Sequence, residues 1–172
     1  MGGRPAFSEG GVSDEPDPFL PLLEAEALRR SKPGNNARRF AEDGEIKGLI
    51  GEAEFARTFD QPMNWCTDPA GDGGIDFTVP LAFTVDVKCA AIPKYLMHEQ
   101  GKIVADIYVL GRYLEDSKRC MLLGWETGEK LRAAPVKPFG YGANNHYILA
   151  GELRPMSELA RRIMRLVAGS RG

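Results

Sequence analysis

Apolar positions along the chain change their period once, and the change divides the sequence. The stretch FLPLLEAEALRR, residues 19–30, is rich in helix formers, and SKPGNN behind it breaks the pattern with proline, glycine and paired asparagines. A second helical stretch starts near Asn36 and runs to Phe59, with an interruption expected around Gly44. At about 100° per residue its later half gathers Leu49, Ala53, Ala56 and Phe59 into one apolar arc, with Ile46 at the edge. Glu52 falls inside that arc, whereas Glu54 points toward Lys47 and Thr58 and reads as a surface acid. Gly48 and Gly51 thin the helix surface beside Glu52 and suit close approach of another backbone. Beyond residue 74 the period becomes that of strands. GIDFTV, FTVDVKCA, ADIYVLG, CMLLGW and YILAGEL are short, β-branched or aromatic segments bounded by turn residues. The final SELARRIMRLVAG closes the chain as an amphipathic helix with Ser157 as its expected N-cap. This order predicts an α/β domain with a mixed sheet.

Polar residues interrupt the strand pattern in one place. If GIDFTV and FTVDVK pair antiparallel across PLA, matching apolar to apolar sets Val79 opposite Phe83 and Phe77 opposite Val85. Thr78 then faces Thr84, Asp76 faces Asp86, and Lys88 lies two residues on, on the face of the two aspartates. Directly opposed Cβ atoms sit roughly 4.5–5.5 Å apart, so two carboxylates there repel unless a cation lies between them. A hairpin that needed only solubility would oppose unlike charges. The glycine-rich GDGG before Ile75, with Asp72 in it, reads as the turn that lets the strand begin. Glu52 poses the same problem from the helix, because a carboxylate on the core side is costly unless it is paired or bound to metal.

Charge and composition narrow the picture further. A length of 172 residues with 43% apolar content suits one domain, expected over residues 19–172, behind a disordered leader at 1–18 that contains no apolar run. Nothing in the pattern suggests a membrane span. Cys66, Cys89 and Cys120 form no C-x-x-C pair and read as reduced thiols of a cytoplasmic protein, in a bacterial cell or a phage-infected host. The net charge of −2 argues against a general polyanion-binding surface, yet basic residues cluster. Arg29, Arg30, Lys32, Arg38 and Arg39 carry no acid among them, and five arginines load the last 20 residues. Either cluster suits a phosphate track or a solvated helix face.

GLIGEAEFA on a helix, then GGIDF, then VDVK, together resemble the PD-(D/E)XK nuclease superfamily, of small phage or bacterial type. The resemblance covers about residues 45 to 130, with ELRPMSEL a weaker echo beyond; Ile75 stands where the name has proline, and Asp86 is an allowed variant of the second acid. It implies a restriction-endonuclease-like fold, with a central mixed β-sheet flanked by helices, and Mg²⁺-dependent hydrolysis of phosphodiester bonds, with DNA as the expected substrate. The residues implied are Glu52, Asp76, Asp86 and Lys88. The two aspartates and the backbone carbonyl of Val87 would hold the metal, with Glu52 direct or through water, and Mn²⁺ would substitute. Lys88 would orient the attacking water and stabilise developing charge.

Other residues add little chemistry. Lys94, Tyr95, His98 and Gln100 follow the motif in an expected helix or loop and read as polar surface, with Lys94 a candidate phosphate contact. His146 lies in an expected loop, and Trp125 belongs to the core. Two histidines support no histidine-rich metal site, and no G-x-x-x-x-G-K-[ST] loop is present, so no nucleotide cofactor is expected. Cutting both strands of a duplex would call for a homodimer or paired action. Two other readings remain: a non-catalytic nucleic-acid-binding or assembly protein of the same fold, and a metal-dependent hydrolase of a small phosphorylated substrate.

Overall fold

A computed structural model describes residues 17–30, 42–63, 65, 73–79, 83–140 and 142–169. Arg38, Arg39, Cys66, Asp72 and the turn between the two hairpin strands lie outside the described residues. Two helices come first, α1 (Leu20–Arg30) and α2 (Glu42–Phe59), and α2 continues through Gly44 without the expected break. The remaining elements are β1 (Phe77–Val79), β2 (Phe83–Ala90), β3 (Tyr95–Glu99), β4 (Ile107–Leu114), β5 (Arg119–Thr127), α3 (Gly128–Ala133), β6 (Val136–Pro138), β7 (Asn144–Leu149) and α4 (Met156–Gly169). No helix among the described residues is long and apolar enough to cross a membrane.

The strands form two sheets, of order β1-β2-β4-β5 and β3-β7-β6. The first is mixed: β1 and β2 are antiparallel, β2 and β4 parallel, β4 and β5 antiparallel. In the hairpin, Phe77 pairs with Val85, Thr78 with Thr84 and Val79 with Phe83, the register that apolar matching requires. A parallel β2–β4 pair needs a crossover. Here the crossover carries β3, so the segment expected as helix or loop is a strand, and His146, expected in a loop, lies on β7 opposite His98.

Alternation along β2 divides the core. Val85 and Val87 face α2, packing with Phe55, Ala56, Phe77, Val109 and Trp125, and α4 adds Leu159 and Ile163 to the same cluster. Trp125 is buried, as its sequence context implied. Tyr108 and Leu110 face the opposite way, against Leu96 and Ile148 of the second sheet and Leu131 of α3. The first sheet is thus covered by helices on one side and by the second sheet with α3 on the other. Asp86 and Lys88 alternate onto that second side.

Three local details depart from the sequence pattern. Residues 1–16 of the expected leader lie outside the described residues, but Asp17 is buried: its Oδ1 accepts the Phe19 N–H at 2.9 Å and its Oδ2 pairs with Arg57 of α2. Ser157 lies inside the first turn of α4 rather than at its cap, because the helix starts at Met156. Cys89 and Cys120, distant in sequence, bring their Sγ atoms to 3.4 Å across Gly111 of β4, where a side chain would collide with Cys120; both are free thiols.

Of the two helix glycines, only Gly51 serves a close approach. A Cβ there would stand 2.7 Å from the Cβ of Cys89, and both atoms are fixed to their backbones, so no rotamer change relieves the contact. Gly48 has nothing within 4 Å of that position. Alanine is worth about 1 kcal/mol over glycine inside a helix, whereas overpacking costs about 1–3 kcal/mol. Gly48→Ala should therefore raise the denaturation midpoint and Gly51→Ala should lower it, as read by urea unfolding of the two variants.

Candidate active site

The hairpin ladder stops at Phe77, and Asp76 continues it without regular pairing. Gly73 and Gly74, with φ of 70° and 83°, bring the chain into the strand through a conformation that disfavours other residues. The Asp76 N–H still donates to the Val85 carbonyl at 2.9 Å, while Asp76 Oδ2 accepts the Val87 N–H at 2.6 Å. The carboxylate thus takes a backbone donor that β1 is too short to satisfy. The same contact ties Asp76 to the strand segment carrying Asp86 and Lys88.

Both aspartates are buried, Asp76 at 7% and Asp86 at 1% exposure. Lys88 Nζ donates to Asp86 Oδ1 at 2.7 Å, and its side chain keeps 40% exposure. Asp86 Oδ2 is buried without a hydrogen-bond partner among the described residues; His98 Nε2 lies 3.4 Å away. Glu126 shows what a fully served buried carboxylate looks like here. Thr127 N–H, Lys130 Nζ and Arg154 Nε reach it at 2.9, 2.8 and 3.2 Å. Asp86 lacks that complement and is open to a further cation.

Electrostatics separate the two aspartates. Burial pushes the Asp76 carboxyl well above its ordinary range, the charges of Glu52 and Asp86 push the same way, and the Val87 N–H and Lys88 only partly offset them. Burial also opposes the charge on Asp86, but His98 and Lys88 outweigh it, so Asp86 is held below its ordinary value. Burial likewise pulls the Lys88 ammonium down, and the two aspartates more than reverse this. Asp76 resists ionisation chiefly because it is buried, and then because Glu52 and Asp86 are charged beside it. That is the state a divalent cation relieves.

Glu52 is buried at 6% exposure on the core side of α2, and its charge acts on Asp76. It does not face carboxylates alone, since Arg30 Nη1 lies 3.7 Å from its Oε1. Glu54 departs from the expected solvent-exposed acid: it is half-buried and pairs with Arg57 at 2.6 Å and Arg119 at 3.2 Å, holding α2 to β5. The described part of the basic cluster is engaged as well. Arg29 and Arg30 both pair with Glu26, at 2.5 and 3.0 Å, so an acid one turn earlier on α1 takes up charge that the local sequence left open. Lys94 is exposed, just before β3.

His98 is the residue that the sequence reading assigned to the surface and the structure does not. β3 returns over the first sheet and sets its ring against Tyr108, centroids 5.3 Å apart at 76°, with Nε2 toward Asp86. Nothing local in KYLMHEQ signals this; the crossover topology creates it. A cleft of about 520 Å³ opens on the other flank, between the end of α2 and β1, lined by Gln61, Pro62, Met63 and residues 75–78, and Asp76 stands in its wall.

Among the described residues no group of three or more His, Cys, Asp or Glu side chains is already gathered around a point where a metal ion could sit. The donor set fits a hard cation that keeps most of its waters: two carboxylates, one with a buried unserved oxygen, and a neighbouring backbone carbonyl at Val87.

With its folded pKa raised, Asp76 favours the fold only when protonated; that contribution is complete below its unfolded value near 3.8 and is lost as pH rises through the folded value. In chelator at pH 8, Asp76→Asn, which keeps an acceptor for the Val87 N–H, should melt higher than the parent chain. The advantage should shrink as the pH is lowered toward 4, as followed by thermal melts across the pH series. Comparison with family models, with curated proteins and with solved structures finds no match to this chain.

Proposed function

We propose that this chain is a divalent-metal-dependent nuclease with a restriction-endonuclease-like fold, hydrolysing phosphodiester bonds of DNA. The observation that carries this reading is the buried Asp76–Asp86 pair, with one oxygen left unserved and a lysine held beside it. The order of elements, a helix glutamate followed by aspartate and D-x-K on two antiparallel strands, is consistent with it.

Asp76, Asp86 and the Val87 carbonyl would hold Mg²⁺, or Mn²⁺ in its place, with Glu52 behind Asp76. When bound, such an ion polarises a phosphate and lowers the pKa of a coordinated water. The protein's own groups do the rest. Asp86 fixes Lys88 and keeps its ammonium charged, and the exposure of Lys88 lets it reach a scissile phosphate. There it would orient water and stabilise the charge that develops on the phosphoryl oxygens. Asp76, tied to the Val87 N–H, holds the two strands in fixed relation.

The Lys88–Asp86 pair also gives footing to a second reading, a non-catalytic nucleic-acid-binding protein in which lysine neutralises aspartate for stability alone. Plasmid nicking with Mg²⁺ and with chelator separates the two. Under the nuclease reading the parent chain nicks only with metal, and Lys88→Ala loses about 100-fold or more of the rate while binding DNA and metal as before. Glu52→Gln should lose activity comparably. Glu54→Gln should lose stability through Arg57 and Arg119 but little activity per folded molecule. Metal-independent behaviour of the parent, or parallel loss of DNA binding in Lys88→Ala, would contradict the assignment.

A further inference from the structure

The chemistry of the Asp86 oxygens differs between the two. Oδ1 is taken by Lys88, whereas Oδ2 is buried, carries no hydrogen bond among the described residues, and faces the His98 ring. A charge-assisted N–H···O bond would draw the two atoms to about 2.7–2.9 Å, but Nε2 stands at 3.4 Å. Two neighbouring ligands each about 2.1 Å from one octahedral ion are separated by roughly 3.0 Å. At 3.4 Å the pair is close enough to interact through space, is not closed into a short hydrogen bond, and lies a few tenths of an ångström beyond the spacing of two neighbouring ligands.

His98 is also held as a ligand would be. Its ring packs edge-on against Tyr108, which pairs with Asp86 in the β2–β4 register. The Tyr108 hydroxyl accepts the Val104 and Ala105 N–H groups at 3.0 and 3.1 Å, fixing that ring in turn. The other imidazole nitrogen, Nδ1, faces the Glu99 carbonyl at 3.5 Å, a long contact, so the ring is held mainly by its packing on Tyr108. The β3 pairing with β7 holds this segment in register, so His98 is not free to swing away.

We propose that His98 Nε2 and Asp86 Oδ2 ligate the same divalent cation, giving the centre one nitrogen donor. The proposal rests on the metal-dependent reading above and extends it. An imidazole in the set raises affinity for Mn²⁺ and later first-row ions relative to Mg²⁺, which takes oxygen donors almost exclusively. The centre would thus discriminate by metal, with His98 as the discriminating residue, and a chain with only oxygen donors there would lose that preference.

Pulsed electron paramagnetic resonance of Mn²⁺ on the tag-free full chain reads the bond directly, because a coordinated imidazole nitrogen modulates the Mn²⁺ signal. With His98 and His146 the only two histidines of the chain, two variants assign the source. The expected result is nitrogen coupling in the parent chain and in His146→Gln, and its loss in His98→Gln. Calorimetry should show His98→Gln still binding Mn²⁺, with the Mn²⁺-to-Mg²⁺ affinity ratio lowered roughly tenfold, the scale on which metal sites respond to loss of a supporting group. Bound Mn²⁺ without nitrogen coupling, or coupling that persists in His98→Gln, would overturn the role of His98 and leave the nuclease reading intact. No Mn²⁺ binding by the parent chain would overturn both.

Discussion

Two carboxyl groups buried opposite each other on neighbouring strands set the terms for everything around them. Asp76 and Asp86 come together because the apolar alternation of the hairpin admits one register, and that register leaves the aspartates no choice of neighbour. Each nearby feature answers the resulting repulsion. The Val87 N–H serves Asp76, Lys88 serves one oxygen of Asp86, and burial with the neighbouring charge holds Asp76 toward its neutral form. These responses are incomplete, since one Asp86 oxygen stays without a hydrogen bond among the described residues. Burying two acids against each other costs stability that an acid opposed to a neutral group would not. Retaining both is understandable if an ion completes the set.

The helix layer brings the third carboxylate to this pair. Gly51 lets α2 settle onto Cys89 and Val87, the odd-numbered side of the strand whose even-numbered side carries Asp86 and Lys88. Glu52, the next residue, is thereby carried to the sheet near the end of β1, where its charge is felt at Asp76. Arg30 at the end of α1 tempers that charge, so α1 contributes to the electrostatics of the site as well as to the packing on α2. Glu54, two residues on, turns to Arg57 and Arg119 and fastens the same helix to β5. Two acids in one turn of helix thus serve different ends, and their rotation about the helix axis decides which is which.

The hairpin register and the inward position of Glu52 were legible in the sequence because both follow from local periodicity, of two on the strands and of about 3.6 on the helix. What was not legible depends on contacts between distant segments. The second sheet is built from β3, β6 and β7, strands of three to six residues; YILAGEL anticipated the end of β7, but β3 joins it by pairing residues about fifty positions apart. His98 reached the site by that route, and a polar KYLMHEQ segment gives no local sign of it. Glu54 looked like a surface acid because Arg119, the partner that draws it toward β5, lies sixty-five positions away. Asp17 looked like part of a leader because its anchor, Arg57, belongs to another helix. Ser157 misled for a smaller reason, since the helix begins one residue before it, at Met156.

Under the proposed function the opposed aspartates would form a cation site rather than a merely tolerated strain. An ion that binds the folded chain and not the unfolded one raises the melting temperature as its concentration rises. Thermal melts of the parent chain and of the Asp76→Asn, Asp86→Asn double variant, with Mg²⁺ or Mn²⁺ raised from chelator to about 10 mM, test this directly. The account predicts a concentration-dependent rise in the parent chain and none in the double variant. A flat response in the parent chain, or the same rise in both, would contradict it.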